Sequence, residues 1–332
     1  MGMNDAKKKK DDEYYTRLED IEYELKNYKP FFKNKRIYCN CDDARWSNFW
    51  WYFVTNFTHL GLKSIDATCY HDGQHGEHWR YEGNCDPEVL REAARTRNHP
   101  LIFPYCKYEV LDNDGGFQYQ DKILNETDVV ITNPPFSLFR DFIDCLFKYE
   151  KDFLIIGNNN AIVYNNVFPK IKENKIWFGL TKANKFMTPS GEEAQVSSYW
   201  YTNIDIIKRH KRNEYYTRYN EKNNPAYEDH PEAIDVSKIN DIPCDWTGII
   251  GVPITFLDAY CPDQFEILEH YEPAIDLEKA KLRHGFKEYV SRQKYVDGKL
   301  CQKTYHRMFI RWKPEAMPEI RKTEHGEIVV YN

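Results

Sequence analysis

The 332-residue sequence predicts an α/β fold on a parallel sheet. Two observations carry that expectation. Short β-branched runs alternate with helical apolar spacing from residue 13 to residue 157, and the chemistry-bearing polar segments fall at the ends of the predicted strands. Residues 13–29 place Leu18, Ile21, Leu25 and Tyr28 on one helical face and stop before Pro30. A strand is predicted at 37–41, then an aromatic-rich helix at 48–60 closed by Gly61. Further strands are predicted at 63–70, 105–111, 128–132 and 152–157. The loop Asp112-Asn113-Asp114-Gly115-Gly116 follows the third strand and an amphipathic helix at 137–149 follows the fourth. Asn40–Asp43, Tyr70–His71, Asp112–Gly116 and Asn133–Phe136 all sit at strand carboxyl ends, which points to one cleft. Beyond residue 175 the pattern turns irregular. Residues 213–241 read as loops, and 248–257 as a return to the sheet.

The length is large for one core and suggests two domains. No apolar run approaches 18 residues, so no membrane span is expected. MGMNDAKKKKDDE has no apolar core and reads as a solvated tail rather than a secretory signal. The nine cysteines include no zinc-type CxxC pair and read as free thiols in a reducing cytoplasm. The net charge of −6 is unevenly distributed. Between residues 283 and 313, nine Lys/Arg (Arg283, Lys287, Arg292, Lys294, Lys299, Lys303, Arg307, Arg311, Lys313) stand against Glu288 and Asp297, a local +7. Lys208, Arg209, Lys211 and Arg212 form a second cluster. Such a split suits a face that grips a phosphate backbone; a solvated helix surface would read the same way.

The most informative segment is Asp128-Val129-Val130-Ile131-Thr132-Asn133-Pro134-Pro135-Phe136. A buried strand empties into a turn whose two prolines remove N–H donors and leave carbonyls facing outward. The Asn133 side-chain oxygen and the Pro134 carbonyl can take the hydrogens of a planar amino group while Phe136 stacks on its ring. That arrangement suits an amine about to accept a methyl group. The bland alternative is a strand-terminating turn.

The motif resembles the Asn-Pro-Pro-Phe motif of S-adenosylmethionine-dependent amino-methyltransferases, and the wider match is to the EcoRI-type adenine-specific DNA methyltransferases. It is carried by Asp12–Thr16 (DEYYT), Ile37–Asp43 (IYCNCDD), Ser47–Phe49, Asn133–Arg140 (NPPFSLFR), Phe153–Ala161 (FLIIGNNNA), Gly251–Leu257 (GVPITFL) and Pro262–Leu268 (PDQFEIL). The resemblance implies a Rossmann-like methyltransferase sheet in residues 1–180 and a smaller target-recognition portion in 181–332, with 246–270 returning to the catalytic sheet. It implies methyl transfer from S-adenosylmethionine to N6 of a flipped-out adenine in double-stranded DNA, by direct in-line displacement without a covalent enzyme intermediate. Asn133, Pro134, Pro135 and Phe136 are the catalytic candidates. Cofactor candidates are Tyr15, Thr16, Asn40, Cys41, Asp42, Asp43, Asp112, Asp114 and Asn133. The first-strand loop lacks the glycines common in the superfamily, a departure that resembles the EcoRI-type enzymes. One of its carboxylates contacts the cofactor, or the loop is a solvated helix cap. Tyr15-Thr16 packs beside the cofactor or leads into the first helix, and Asp112 and Asp114 meet the adenosine or form a polar turn. Arg283, Lys287, Arg292, Lys294, Lys299, Lys303 and Arg307 are the DNA-binding candidates.

His71, His75 and His78, flanked by Cys69 and Cys85, invite a metal reading, but the Gly-broken spacing lacks a zinc signature. A polar loop is expected there, and no metal. The resemblance implies a metal-independent monomer with a cognate restriction endonuclease as companion. Two rivals remain open. One is the same chemistry on RNA or a protein glutamine, which the basic C-terminal segment disfavours. The other is a DNA-binding relative that has lost turnover, which the intact Asn133–Phe136 turn disfavours.

Overall fold

The computed structural model describes residues 14–71, 73–188, 191–227, 230–271, 274–276, 293–296, 298–303, 306–322 and 328–331. Two compact units emerge: Met1–Val167 with Ile176–Ile204, and Phe168–Lys175 with Asp205–Asn332. The first unit thus runs past the expected boundary at 180 and gives up a short segment before it. Among the described residues no helix is long and apolar enough to cross a membrane.

The first unit is built on an eight-stranded sheet. Its strands are β1 (Arg36–Asn40), β2 (Ser64–Cys69), β3 (Glu77–Tyr81), β4 (Cys106–Val110), β5 (Val129–Thr132), β6 (Asp152–Asn158), β7 (Trp177–Phe178) and β8 (Ser198–Thr202), in the order β4-β3-β2-β1-β5-β6-β8-β7. Only the central four strands are parallel; both flanks are antiparallel. The all-parallel expectation is therefore corrected at the edges. The seven residues between β2 and β3 are too few for a helical crossover, so the chain turns back as a hairpin. The 71–78 histidine segment is not only a loop, because His78 lies within β3. Its Nε2 meets Asp66 Oδ1 and its Nδ1 meets Glu109 Oε1, each at 2.7 Å, and Arg80 Nε donates to Asp66 Oδ1 at 2.7 Å. These pairings bury a strand whose composition reads as polar.

Helices flank the sheet. Leu18–Leu25 buries Ile21 and Leu25, and the chain continues as Lys26–Tyr28 and Lys29–Phe32. Pro30 is accommodated in the first turn of the last of these rather than stopping the helix. The predicted helix at 48–60 is two helices, Asn48–Thr55 and Phe57–Leu60, broken at Asn56 and closed by Gly61 in the left-handed region. Helix Phe139–Lys148 buries Phe139, Phe142, Ile143 and Leu146. Residues 14–16 are not helical: Tyr15–Thr16 pairs antiparallel with Lys185–Met187, which pairs with Glu193–Gln195. Fully buried Glu24 accepts from Tyr28 Oη (2.7 Å), Leu180 N (2.8 Å), Thr181 N (2.7 Å) and Thr181 Oγ1 (2.7 Å), tying residues 180–181 to the first helix.

The second unit has its own sheet, β9 (Ala233–Asp235), β10 (Ile249–Pro253), β11 (Phe265–Tyr271) and β12 (Arg307–Trp312), in the order β9-β10-β12-β11. The 246–270 segment accordingly does not return to the catalytic sheet. β10 lies between β9 and β12, with Ile234 opposite Ile250 and Ile250 opposite Ile310. An apolar run announces a buried strand without saying which sheet buries it. Phe265 and Trp312 pack with ring centroids 4.1 Å apart, and Tyr215 meets both edge-on. Strands Ala274–Asp276, Lys299–Lys303 and Gln293–Val296 form a further three-stranded sheet, and Glu319–Lys322 pairs with Ile328–Tyr331.

Candidate active site

The strand order reverses between β1 and β5, since β2 extends the sheet on one side and β6 on the other. In open α/β sheets the crevice at such a switch point, outside the strand carboxyl ends, is where ligands bind. The two segments leaving that crevice are 40–48 and 132–139.

The Asn133–Phe136 turn follows β5. Asn133 Nδ2 donates to the main-chain carbonyl of Tyr14 at 2.6 Å. A carbonyl only accepts, so this contact assigns the nitrogen to the Tyr14 side. Asn133 Oδ1 is buried and, among the described residues, has no hydrogen-bond partner. Pro134 is buried and Pro135 half-buried. The Phe136 ring lies 5.9 Å from Tyr14 and 6.5 Å from Phe186, while Tyr14 and Phe186 are 5.8 Å apart. An aromatic trio therefore surrounds the turn.

The loop after β1 begins with Cys41 at φ +74°, the left-handed geometry usually given to glycine. A cysteine thus takes the bend that the glycine-free loop requires. Asp42 N bonds to Thr68 O at 3.0 Å. Its Oδ1 accepts from Ser47 Oγ and its Oδ2 from Thr132 Oγ1, each at 2.6 Å. Burial pushes the Asp42 carboxyl up to about 6; the hydrogen bonds from Ser47 and Thr132 oppose that shift and the neighbouring Asp43 charge adds to it. Buried Asp43 is held by Arg45, whose Nη2 lies 2.6 Å from Asp43 Oδ2 and 2.7 Å from Glu77 Oε2. Both loop carboxylates are already engaged within the chain.

Asp43, Cys69, His71 and Glu77 bring their polar atoms within 4.8 Å of one another. The Arg45 guanidinium neutralises the acidic side of this group. The Cys69 thiol is pushed up to about 12, by burial first and then by Asp43 and Glu77, so it stays protonated. The 112–116 loop covers the end of β2. Asp114 O accepts from His71 N at 2.9 Å, and Asp114 Oδ1 from Gly116 N at 2.9 Å. A Cβ on Gly115 would lie 2.0 Å from Cys69 O, so the close approach requires glycine. Asp112 is exposed. Thr16 is buried, its Oγ1 without a hydrogen-bond partner among the described residues, Asn48 Nδ2 donates to Thr16 O at 2.8 Å, and Tyr15 is 37% exposed. Asn40 is buried beside this loop.

Sequence reasoning missed Tyr14, Arg45, Ser47, Glu77 and Thr132 as site residues. Of the DNA-binding candidates in the second unit, Arg283, Lys287 and Arg292 lie outside the described residues. Lys294 is in the Gln293–Val296 strand, and Lys299 and Lys303 end the Lys299–Lys303 strand. Arg307 Nη2 is 3.1 Å from Asp235 Oδ1, an ion pair within that unit. In the second basic cluster, Lys208 pairs with Asp258 at 2.5 Å, and Arg212 donates to the Ala316 carbonyl at 3.2 Å.

A family model described as adenine-specific methyltransferase EcoRI matches residues 2–313. The chain is 41% identical over 295 residues to the type II methyltransferase M.EcoRI of Escherichia coli, covering 80% of this chain and 88% of that protein. It is 36% identical to M.MgeORF184P of Mycoplasma genitalium and 34% identical to M.MpnI of Mycoplasma pneumoniae, both type II methyltransferases, over 80% of this chain and 85% of each. No solved structure matches. The mixed α/β sheet, the switch-point turn and these likenesses lead to one conclusion: the chain belongs to the EcoRI family of adenine-specific methyltransferases.

Proposed function

We infer that this chain methylates N6 of adenine at a specific site in double-stranded DNA, as the modification partner of a restriction–modification system, with S-adenosylmethionine as methyl donor. The observation that carries the reading is Asn133 Oδ1, a buried amide oxygen with no donor among the described residues, at the switch-point end of β5. A buried acceptor left unpaired costs about 1–3 kcal/mol, which an incoming amine would recover. The residues present suit a positively charged donor: Thr16 Oγ1, without a hydrogen-bond partner among the described residues, the carboxylates of Asp43 and Glu77, and the glycine-dependent 112–116 loop. Asn40, Cys41 and Asp43, with Tyr15–Thr16 and the 112–116 loop, would hold it. Bound there, S-adenosylmethionine supplies an electrophilic methyl group.

Asn133 Oδ1 and the Pro134 carbonyl take the two amine hydrogens, localising the nitrogen lone pair toward the methyl. Phe136 stacks on the flipped base, a contact worth roughly 1–3 kcal/mol. The second unit serves as the target-recognition portion. Lys294, Lys299 and Lys303, with Arg283, Lys287 and Arg292, contact phosphates. The enzyme acts as a monomer in the reducing cytoplasm, consistent with eight described cysteines being free thiols, beside an endonuclease that cuts the same site.

The test is transfer of labelled methyl to unmethylated duplex DNA, with RNA and protein extract in parallel, followed by nucleoside identification and site mapping. N6-methyladenine at one recurring sequence is expected. Label in RNA or protein alone would overturn the substrate, and the absence of both label and donor binding would overturn the enzyme.

A further inference from the structure

The β1–β5 ladder is short. Its paired residues are Ile37 with Val129 and Tyr38 with Val130, so the pairing stops two residues before each strand does. On its other side Thr132 still pairs with Ile155 of β6. At the mouth of the crevice the β1 half and the β5 half are therefore joined by side chains. The Thr132 hydroxyl shares its one hydrogen between the Asn40 carbonyl and Asp42 Oδ2, the latter at 2.6 Å. Asp42 Oδ1 in turn accepts from Ser47 Oγ at 2.6 Å, and Ser47 Oγ caps helix Asn48–Thr55 by accepting from Trp50 N at 3.1 Å. A continuous chain of contacts runs from that helix through one carboxyl group to the residue immediately before Asn133.

We propose that Asp42 is a positioning residue for methyl transfer: by holding the Thr132 hydroxyl it fixes the Asn133–Phe136 turn against the loop that follows β1. Each carboxylate oxygen takes one hydroxyl, so the bridge defines a distance and an orientation, as a long flexible pair would not. Thr132 and Asn133 are adjacent in the chain, and sliding Thr132 displaces the Asn133 acceptor. Methyl transfer is sensitive to such displacement, since misplacement by about 1 Å can cost roughly a hundredfold in rate. Asp42 then acts on the rate of transfer and leaves donor affinity largely alone. This separates it from a cofactor ligand.

The experiment uses the full chain with single-turnover methyl transfer to duplex DNA at saturating donor, and donor affinity measured by calorimetry. Thr132→Val is expected to slow transfer about tenfold or more with donor affinity within about twofold, and Thr132→Ser, which keeps the hydroxyl, to restore most of the rate. Asp42→Ala is expected to match Thr132→Val, and the double variant to be no slower than either single one. Should Thr132→Val fail to fold, Asp42→Asn against Asp42→Ala makes the same comparison, because an amide can still bridge both hydroxyls. Wild-type rates in Thr132→Val, additive losses in the double variant, or an Asp42→Ala enzyme that loses donor affinity but keeps its saturated rate would each overturn the proposal.

Discussion

Asn133 Nδ2 lies 2.6 Å from the carbonyl oxygen of Tyr14, a residue 119 positions earlier in the chain. A main-chain carbonyl therefore decides which end of the Asn133 amide faces the crevice. Asn133→Asp retains an acceptor but puts a carboxylate oxygen against that carbonyl. Transfer is expected to fall about 10²–10³-fold, as when a preorganised hydrogen-bonding group is lost, and Asn133→Ala to fall at least as far. Donor affinity should stay close to wild type in both. A single-turnover assay with calorimetry checks this, and near-wild-type turnover in either variant would remove Asn133 from the proposed role.

Cys41 carries a side chain at φ +74°, a conformation that costs most L-residues about 1–2 kcal/mol. Cys41→Gly should fold with stability within about 1 kcal/mol of wild type, because relief of that cost is offset by a freer unfolded chain. Cys41→Val should lose more than about 2 kcal/mol, since a β-branched residue fits that region worst. Urea midpoints for the two variants decide it.

The buried Asp42 carboxyl titrates at about 6 in the folded chain instead of 3.8. Below about 4 it is protonated in both states and contributes nothing to the pH dependence. Between about pH 4 and 6 the unfolded chain ionises while the folded chain keeps its proton, so stability falls by up to about 3 kcal/mol and then levels off above 6. Wild type should therefore lose stability relative to Asp42→Asn between pH 4 and pH 7. Parallel denaturant curves across that range measure the difference, and a constant gap would mean that the carboxyl is not perturbed.

Glu24 receives four hydrogen bonds in a site closed to solvent. Glu24→Ala leaves the Leu180 and Thr181 amides without their acceptor and should cost roughly 3 kcal/mol or more. Gly179→Ala should also destabilise, because its Cβ would come 2.3 Å from Glu24 Oε1 and 2.8 Å from Trp200 Cβ. Thermal unfolding of both variants is the check.

Replacing Lys294, Lys299 and Lys303 by glutamine should weaken DNA binding and lower the slope of log K against log salt by up to about 3, if each meets one phosphate. Arg307→Gln should act differently, destabilising the unit by breaking its pair with Asp235. Binding titrations at several salt concentrations, with melting curves, separate the two effects.

The central strands were legible because β1, β5 and β6 carry apolar runs, β2 alternates Ile65, Ala67 and Cys69 with polar residues, and all are bounded by loop residues. β3 was not. Glu77, His78 and Arg80 read as polar loop until Asp66, Glu109 and Glu126 are brought to them from distant positions. In the site, Asn133–Phe136 and the 40–43 loop could be read from residue chemistry. Two partners could not: the Tyr14 carbonyl, because every residue carries one, and the Thr132 hydroxyl, because threonine is an ordinary strand residue. Arg45 looked like one more surface charge, yet it is the cation between Asp43 and Glu77.

The antiparallel strand β8 pairs five residues with β6 along Leu154 to Asn158. A polypeptide released near residue 180, before β8 is made, would leave that side of β6 with open amides and carbonyls beside a row of buried apolar side chains. Such an edge templates pairing between molecules. Fragments cut at the boundary suggested by sequence should accordingly aggregate, whereas those extending through residue 204 keep the strand that covers it.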